Sequence, residues 1–88
     1  MSKAEQVWYI YLIECNDGSL YTGITTDVER RYAEHVAGKG ARYTRMKKPV
    51  RLVGFRECGT KSEALKAEIS LKKLPARDKE IVISLRRG

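Results

Sequence analysis

Eighty-eight residues make one domain, expected to span 1–88, with a small core and no room for a second. Eighteen Lys plus Arg against eleven Asp plus Glu leave a net charge of +7, which favours a polyanionic partner, nucleic acid foremost. No apolar stretch approaches the roughly twenty residues of a membrane span, and Met1 to Gln6 lacks the apolar core of a secretory signal. A cytoplasmic protein is therefore expected, whose Cys15 and Cys58 are too few for a zinc cluster and stay reduced as packing residues.

Val7 to Glu14 is β-branched and aromatic with little polarity on either parity, as in a strand covered on both faces. Asn16-Asp17-Gly18 is turn chemistry, and Ser19 to Ile24 resumes an extended pattern, so the two strands form a hairpin. A two-residue Asp17-Gly18 turn pairs Tyr11 with Ile24 and sends Tyr21 to the opposite face. A three-residue loop with left-handed Gly18 pairs Tyr11 with Gly23 and Ile13 with Tyr21. The second register is predicted; it puts Tyr11 and Tyr21 on one face, with space beside Tyr11 for a ligand where Gly23 lacks a side chain.

Asp27 reads as the N-cap of a helix running to about Ala37 and stopped by Gly38. At about 100° per residue, Val28, Tyr32 and Val36 form its buried stripe, with Arg31 and His35 together on one flank. Gly38 to Pro49 reads as a basic loop, and Val50 to Glu57 as a third strand. Thr60-Lys61-Ser62-Glu63 has capping-box spacing and opens a helix that ends at Leu74, before Pro75. A last helix, Ala76 to Leu85, carries Ile81, Val82 and Leu85 to pack inward. The fold class expected is α/β (α+β), a three-stranded mainly antiparallel sheet flanked by helices.

Three groups of residues ask for more than packing. Glu68 lies among Ala64, Leu65, Ala67, Leu71 and Leu74, so its carboxylate is expected to point inward, where a charge needs a partner. An intrahelical pair with Lys72 at i+4 supplies one; a hard divalent cation is the alternative. Arg31 and His35 could be ordinary polar residues of a helix flank, neutralised by Glu34 or Asp27. Tyr9, Tyr11 and Tyr21 could be strand tyrosines with hydrogen-bonded hydroxyls. Convergence argues otherwise: two phenols on one sheet face, an Arg and a His on the adjoining helix and an inward carboxylate on another are a combination that no core requires.

The succession Tyr9-Ile10-Tyr11, Tyr21-Thr22-Gly23, Glu29-Arg30-Arg31-Tyr32, His35 and Ala64-Leu65-Lys66-Ala67-Glu68 resembles the GIY-YIG nuclease domain, in its short single-domain bacterial branch. Tyr9 stands where the motif has Gly, and Thr22 where it has Ile. The resemblance implies a divalent-metal-dependent phosphodiester hydrolase using one Mg²⁺ or Mn²⁺, with Tyr11, Tyr21, Arg31, His35 and Glu68 as catalytic residues and Glu68 as the metal ligand. Arg31 would clamp the non-bridging phosphate oxygens, whose geometry its planar fork matches. Tyr11 or Tyr21 would take the proton from water, which requires a pKa below the usual value near 10, supplied by the metal and Arg31. His35 would orient a tyrosine or share in proton transfer.

The basic segment then gains a second reading, in which Arg42, Arg45, Lys47, Lys48 and Arg51 track a phosphate backbone and Tyr43 stacks a base. Nothing in it suggests direct base readout, so structure preference or little sequence preference is expected; on the resemblance, DNA is favoured over RNA, with a link to repair or recombination. The rival reading is a non-catalytic nucleic-acid-binding module with the nuclease fold, accessory to a larger complex. A protein partner that supplies substrate targeting suits either case.

Overall fold

The computed structural model describes residues 6–85, side chains included up to Ile83; the expected polar start at 1–5 and the inward packing expected of Leu85 lie outside what it describes. Strands β1 (Trp8–Cys15), β2 (Leu20–Thr25) and β3 (Pro49–Gly59) form an antiparallel sheet in the order β2-β1-β3. Among the described residues four helices accompany it: α1 (Val28–Val36), α2 (Arg42–Met46), α3 (Lys61–Lys72) and α4 (Ala76–Leu85). The segment expected as a basic loop thus contains the short helix α2, which buries Thr44.

The central strand is covered on both faces, as its two-sided apolar pattern requires. Ile10 and Leu12 pack with Leu71 of α3 and Ile83 of α4, while Tyr11, Ile13 and Cys15 pack with Val28 of α1 on the other face. Each such aliphatic side chain contributes about 1.5–3 kcal/mol by leaving water. In α4 the inward residue is Ile83, with Val82 half-buried; Ile81, expected inside, is 49% exposed. Two residues C-terminal to Ile81, Ile83 meets the even-numbered face of β1, and a β-carbon on Gly54 of β3 would lie 2.6 Å from its Cγ2.

The hairpin has the predicted register, Tyr11 opposite Gly23 and Ile13 opposite Tyr21. Gly18 adopts φ +85°, and the bonds Gly18 N–H to Cys15 C=O and Cys15 N–H to Ser19 C=O, both 2.9 Å, close the three-residue loop. Asp17 locks it from outside, accepting from the Ser19 amide at 3.0 Å, the Ser19 hydroxyl at 2.5 Å and the Lys47 ammonium at 2.6 Å. Those donors hold the Asp17 carboxyl well below the usual carboxylate range, Lys47 foremost.

Helix α1 begins where expected: the Asp27 carboxylate accepts from the Arg30 amide at 3.1 Å. It ends in a Schellman arrangement, Gly38 at φ +81° donating to His35 C=O at 3.1 Å and Lys39 donating to Glu34 C=O at 2.8 Å. Its rotation differs from the expected one, however. Val28 is buried at 8% exposure and Tyr32 half-buried, but Val36 is 57% exposed and His35 is wholly buried. At about 100° per residue, positions 28 and 35 are nearly in line. The sheet face they meet carries phenols, so the helix turns its histidine to it rather than its last valine.

Candidate active site

The alternation of β1 and β2, read with the hairpin register, brings Tyr11 and Tyr21 to one face, their ring centroids 6.3 Å apart. The His35 ring meets both, at 5.8 Å from Tyr11 and 5.1 Å from Tyr21. The Tyr11 hydroxyl and His35 Nε2 are hydrogen-bonded at 2.8 Å. The space expected beside Tyr11 for a ligand is filled by Tyr11 itself: a β-carbon on Gly23 would clash with the phenol oxygen and lie 2.5 Å from Cζ. Glycine is needed there so that the phenol can lie across the neighbouring strand.

Beyond His35 the hydrogen bonds continue into α2. Nδ1 and Thr44 Oγ1 are 2.6 Å apart, and the Thr44 hydroxyl donates to Ala41 C=O at 3.0 Å. His35 is fully buried and Thr44 1% exposed. Gly40 closes over the imidazole, where an added β-carbon would come within 2.8 Å of Cγ and Cε1. Sequence reasoning missed both residues. The basic run around Thr44 reads as electrostatics, Gly38 and Gly40 read as a helix stop and part of that basic loop, and a spacing of nine residues from His35 to Thr44 belongs to no helix or strand period.

Arg31, one turn before His35, is partly exposed and ion-paired to Glu34 at 2.9 Å, the neutralising contact its flank position suggested. It also acts on Tyr11, whose phenol proton is set by opposing influences. Burial is the largest and pushes the pKa up to about 12, while the Arg31 guanidinium pulls it down. Arg31 by itself does not bring the Tyr11 pKa below its ordinary value, because at 2% exposure the phenolate loses more hydration than Arg31 restores. Burial, with Arg31 second, depresses the pKa of His35 below its ordinary 6.5. At neutral pH the pair therefore rests as phenol and neutral imidazole.

Glu68 is half-buried on α3 between Ala64 and Leu71, which are 0% and 4% exposed. Leu65, expected beside it on the inner face, is 42% exposed, because α3 meets the sheet through Ala64, Ala67 and Leu71. The Glu68 carboxylate is 3.2 Å from the Lys72 ammonium, so the intrahelical pair is present. Its negative charge also bears on the Tyr11 phenol and raises its pKa. Among the described residues no three His, Cys, Asp or Glu side chains gather to hold a metal. A single carboxylate still suits a hard cation that keeps most of its waters and takes further oxygens from a phosphate, and Lys72, its side chain 55% exposed, is free to swing clear.

The basic residues divide. Lys47 is committed to Asp17 and lies 5.6 Å over the Tyr43 ring, and Arg51 pairs with Glu14 at 2.7 Å. Arg42, Arg45 and Lys48 are exposed and form no ion pair among the described residues. Tyr43, expected to stack a base, is half-buried, packs its ring 5.7 Å from Tyr21 and donates its hydroxyl to Ser19 at 2.7 Å. It extends the aromatic wall of the site. Tyr9 adds to the same side, edge-on to Phe55 with centroids 6.0 Å apart. No described helix is long and apolar enough to cross a membrane.

The GIY-YIG catalytic domain profile matches residues 7–80. A UPF0213 protein of Cupriavidus necator is 59% identical over 77 residues, covering 88% of this chain and 84% of its own. A UPF0213 protein of Haloquadratum walsbyi is 53% identical over 72 residues, covering 82% and 81%. Among solved structures, the solution NMR structure of a UPF0213 protein from Bacillus halodurans has a TM-score of 0.56 at 48% identity, covering 94% of this chain and 88% of that one. The solution NMR structure of a protein from E. faecalis has a TM-score of 0.63 at 40% identity, covering 96% and 90%. With a catalytic-domain match over nearly its whole length and relatives in bacteria and archaea, the chain belongs to the GIY-YIG family, a family of nucleases.

Proposed function

We propose that this protein hydrolyses phosphodiester bonds in DNA, preferring branched or single-stranded structures over a base sequence, in the service of repair or recombination. The observation that carries the reading is the hydrogen bond from Tyr11 to His35, both buried, with Arg31 and Glu68 acting on the same phenol. A phenol whose pKa is about 12 is a poor base by itself. It becomes a competent relay when its own proton passes to an imidazole as it takes one from water.

In this reading a phosphate approaches past Tyr21 and Arg31, both partly exposed. Arg31 remains a cation, and its guanidinium neutralises charge that builds on the non-bridging oxygens. Water loses a proton to the Tyr11 oxygen as its own oxygen bonds to phosphorus. The Tyr11 proton moves to Nε2 of His35, the bond from phosphorus to the departing oxygen breaks, and that oxygen is protonated from solvent. Tyr21 packs against His35 and lines the approach. Glu68 would hold one Mg²⁺ or Mn²⁺, which when bound supplies Lewis-acid stabilisation of the phosphate and the leaving oxygen. Arg42, Arg45 and Lys48 are the cations available to the flanking backbone.

The test is a panel of labelled flaps, forks, junctions, single strands and RNA counterparts, incubated with wild type and Glu68→Ala in Mg²⁺ and Mn²⁺. Cutting by wild type alone, with binding kept by the variant, is expected. Salt-sensitive binding without cutting in either metal would establish the accessory binding module instead.

A further inference from the structure

The proton relay has a far end that the family motif does not name. The hydroxyl of Thr44 has one proton, and Ala41 C=O, 3.0 Å away, is an acceptor for it. With that proton on Ala41 C=O, the same oxygen accepts from His35 Nδ1, 2.6 Å away, and Nδ1 carries the imidazole proton. Nε2 is then left with a lone pair 2.8 Å from the Tyr11 oxygen, and the Tyr11 hydroxyl donates to it. In this arrangement every proton has an acceptor. With the other tautomer the Tyr11 and His35 protons would oppose each other, or the buried phenol proton would lose its acceptor, at a cost that buried polar groups rarely bear.

We infer that Thr44 is a positioning residue that fixes His35 in the Nδ1–H tautomer, so that Nε2 stands ready to accept the Tyr11 proton. Gly40 completes the device, because only the absence of a β-carbon lets the α1–α2 connection close on the ring and bring Thr44 to Nδ1. The charged and titratable groups around the imidazole are Tyr11 on β1, Tyr21 on β2, and Arg31 and Glu34 on α1 itself. Tyr11 meets the ring at Nε2, and Nδ1 is bonded to the Thr44 hydroxyl. The catalytic meaning of the device rests on the hydrolase reading above; the tautomer does not.

His35 is the only histidine of the chain, so its two ring nitrogens can be observed without assignment ambiguity in a ¹⁵N-histidine-labelled sample. At neutral pH wild type is expected to show a protonated, pyrrole-like Nδ1 and a pyridine-like Nε2. Thr44→Ser keeps that pattern, and Thr44→Val loses it, with Nε2–H populated. Backbone amide spectra establish that each variant is folded. A wild type with Nε2 protonated, or a folded Thr44→Val that retains the wild-type pattern, overturns the assignment; the wild-type spectrum suffices if the variant does not fold. On a cleaved substrate, Thr44→Val should lower kcat by about a hundredfold with little change in KM, and Thr44→Ser should restore it. If wild type cuts nothing, the hydrolase reading fails, while the spectrum still upholds or overturns the role of Thr44.

Discussion

Gly23→Ala tests the closest approach in the site. In an unobstructed strand the change stabilises by about 0.5–1 kcal/mol, because glycine loses more freedom on folding. Here the new methyl would clash with the Tyr11 hydroxyl and lie 2.5 Å from Cζ and 3.1 Å from Cε1. Tyr11 is 2% exposed and held by His35, so its ring cannot swing into solvent without breaking that bond. Overpacking of this kind costs about 1–3 kcal/mol, and the lost hydrogen bond about 1 kcal/mol more. Less the strand gain, the net destabilisation is about 2 kcal/mol, or roughly 8–16 °C in Tm for a domain of this size. Urea unfolding followed by circular dichroism measures it. In a Tyr11→Leu background the obstruction is gone, and the same change should be neutral or stabilising, a coupling of about 2–3 kcal/mol. A Gly23→Ala protein more stable than wild type, or one whose cost is the same in both backgrounds, refutes the packing argument.

Three further outcomes are expected. The pKa of His35 is depressed in the folded state by burial and Arg31, so its neutral form contributes stability that is present above the ordinary 6.5 and lost as pH falls through the lower folded value. Unfolding free energy measured against pH should decline over that window, and His35→Gln should flatten it. Lys72→Ala removes the competitor for the Glu68 carboxylate, an i,i+4 pair of about 0.3–0.5 kcal/mol, and should tighten Mn²⁺ binding about twofold by calorimetry. Replacing Arg42, Arg45 and Lys48 together by Ala should lower the log–log salt slope of duplex binding by up to about 3, at roughly 0.9 per phosphate contact. The pair Lys47 and Arg51, already engaged with Asp17 and Glu14, should change it less.

How much of the site was legible depended on the range of the interactions. Asn16-Asp17-Gly18 dictates the hairpin loop, and the loop dictates that Tyr11 and Tyr21 share a face, since side chains alternate with period two. Asp27 and Gly38 bound α1, and Thr60 caps α3 by accepting from the Glu63 amide at 3.1 Å, all through bonds within a few residues. Glu68 was legible as a carboxylate needing a partner, and it has Lys72. The rotation of α1 was not, because apolar spacing favours Val36 inside, whereas the phenols of a distant hairpin reward His35.

The sequence by itself determined the succession of the three strands and of α1, α3 and α4, the caps of α1 and α3, the hairpin register and the set of chemical groups, because each rests on backbone geometry and near neighbours. Only the tertiary structure decided that His35 is buried rather than flanking, that Thr44 and Gly40 close on it, and that Tyr11 keeps its proton to about 12. Those properties come from burial and hydrogen bonds between segments that meet only when the sheet, α1 and α2 have packed, and no local period encodes such a meeting.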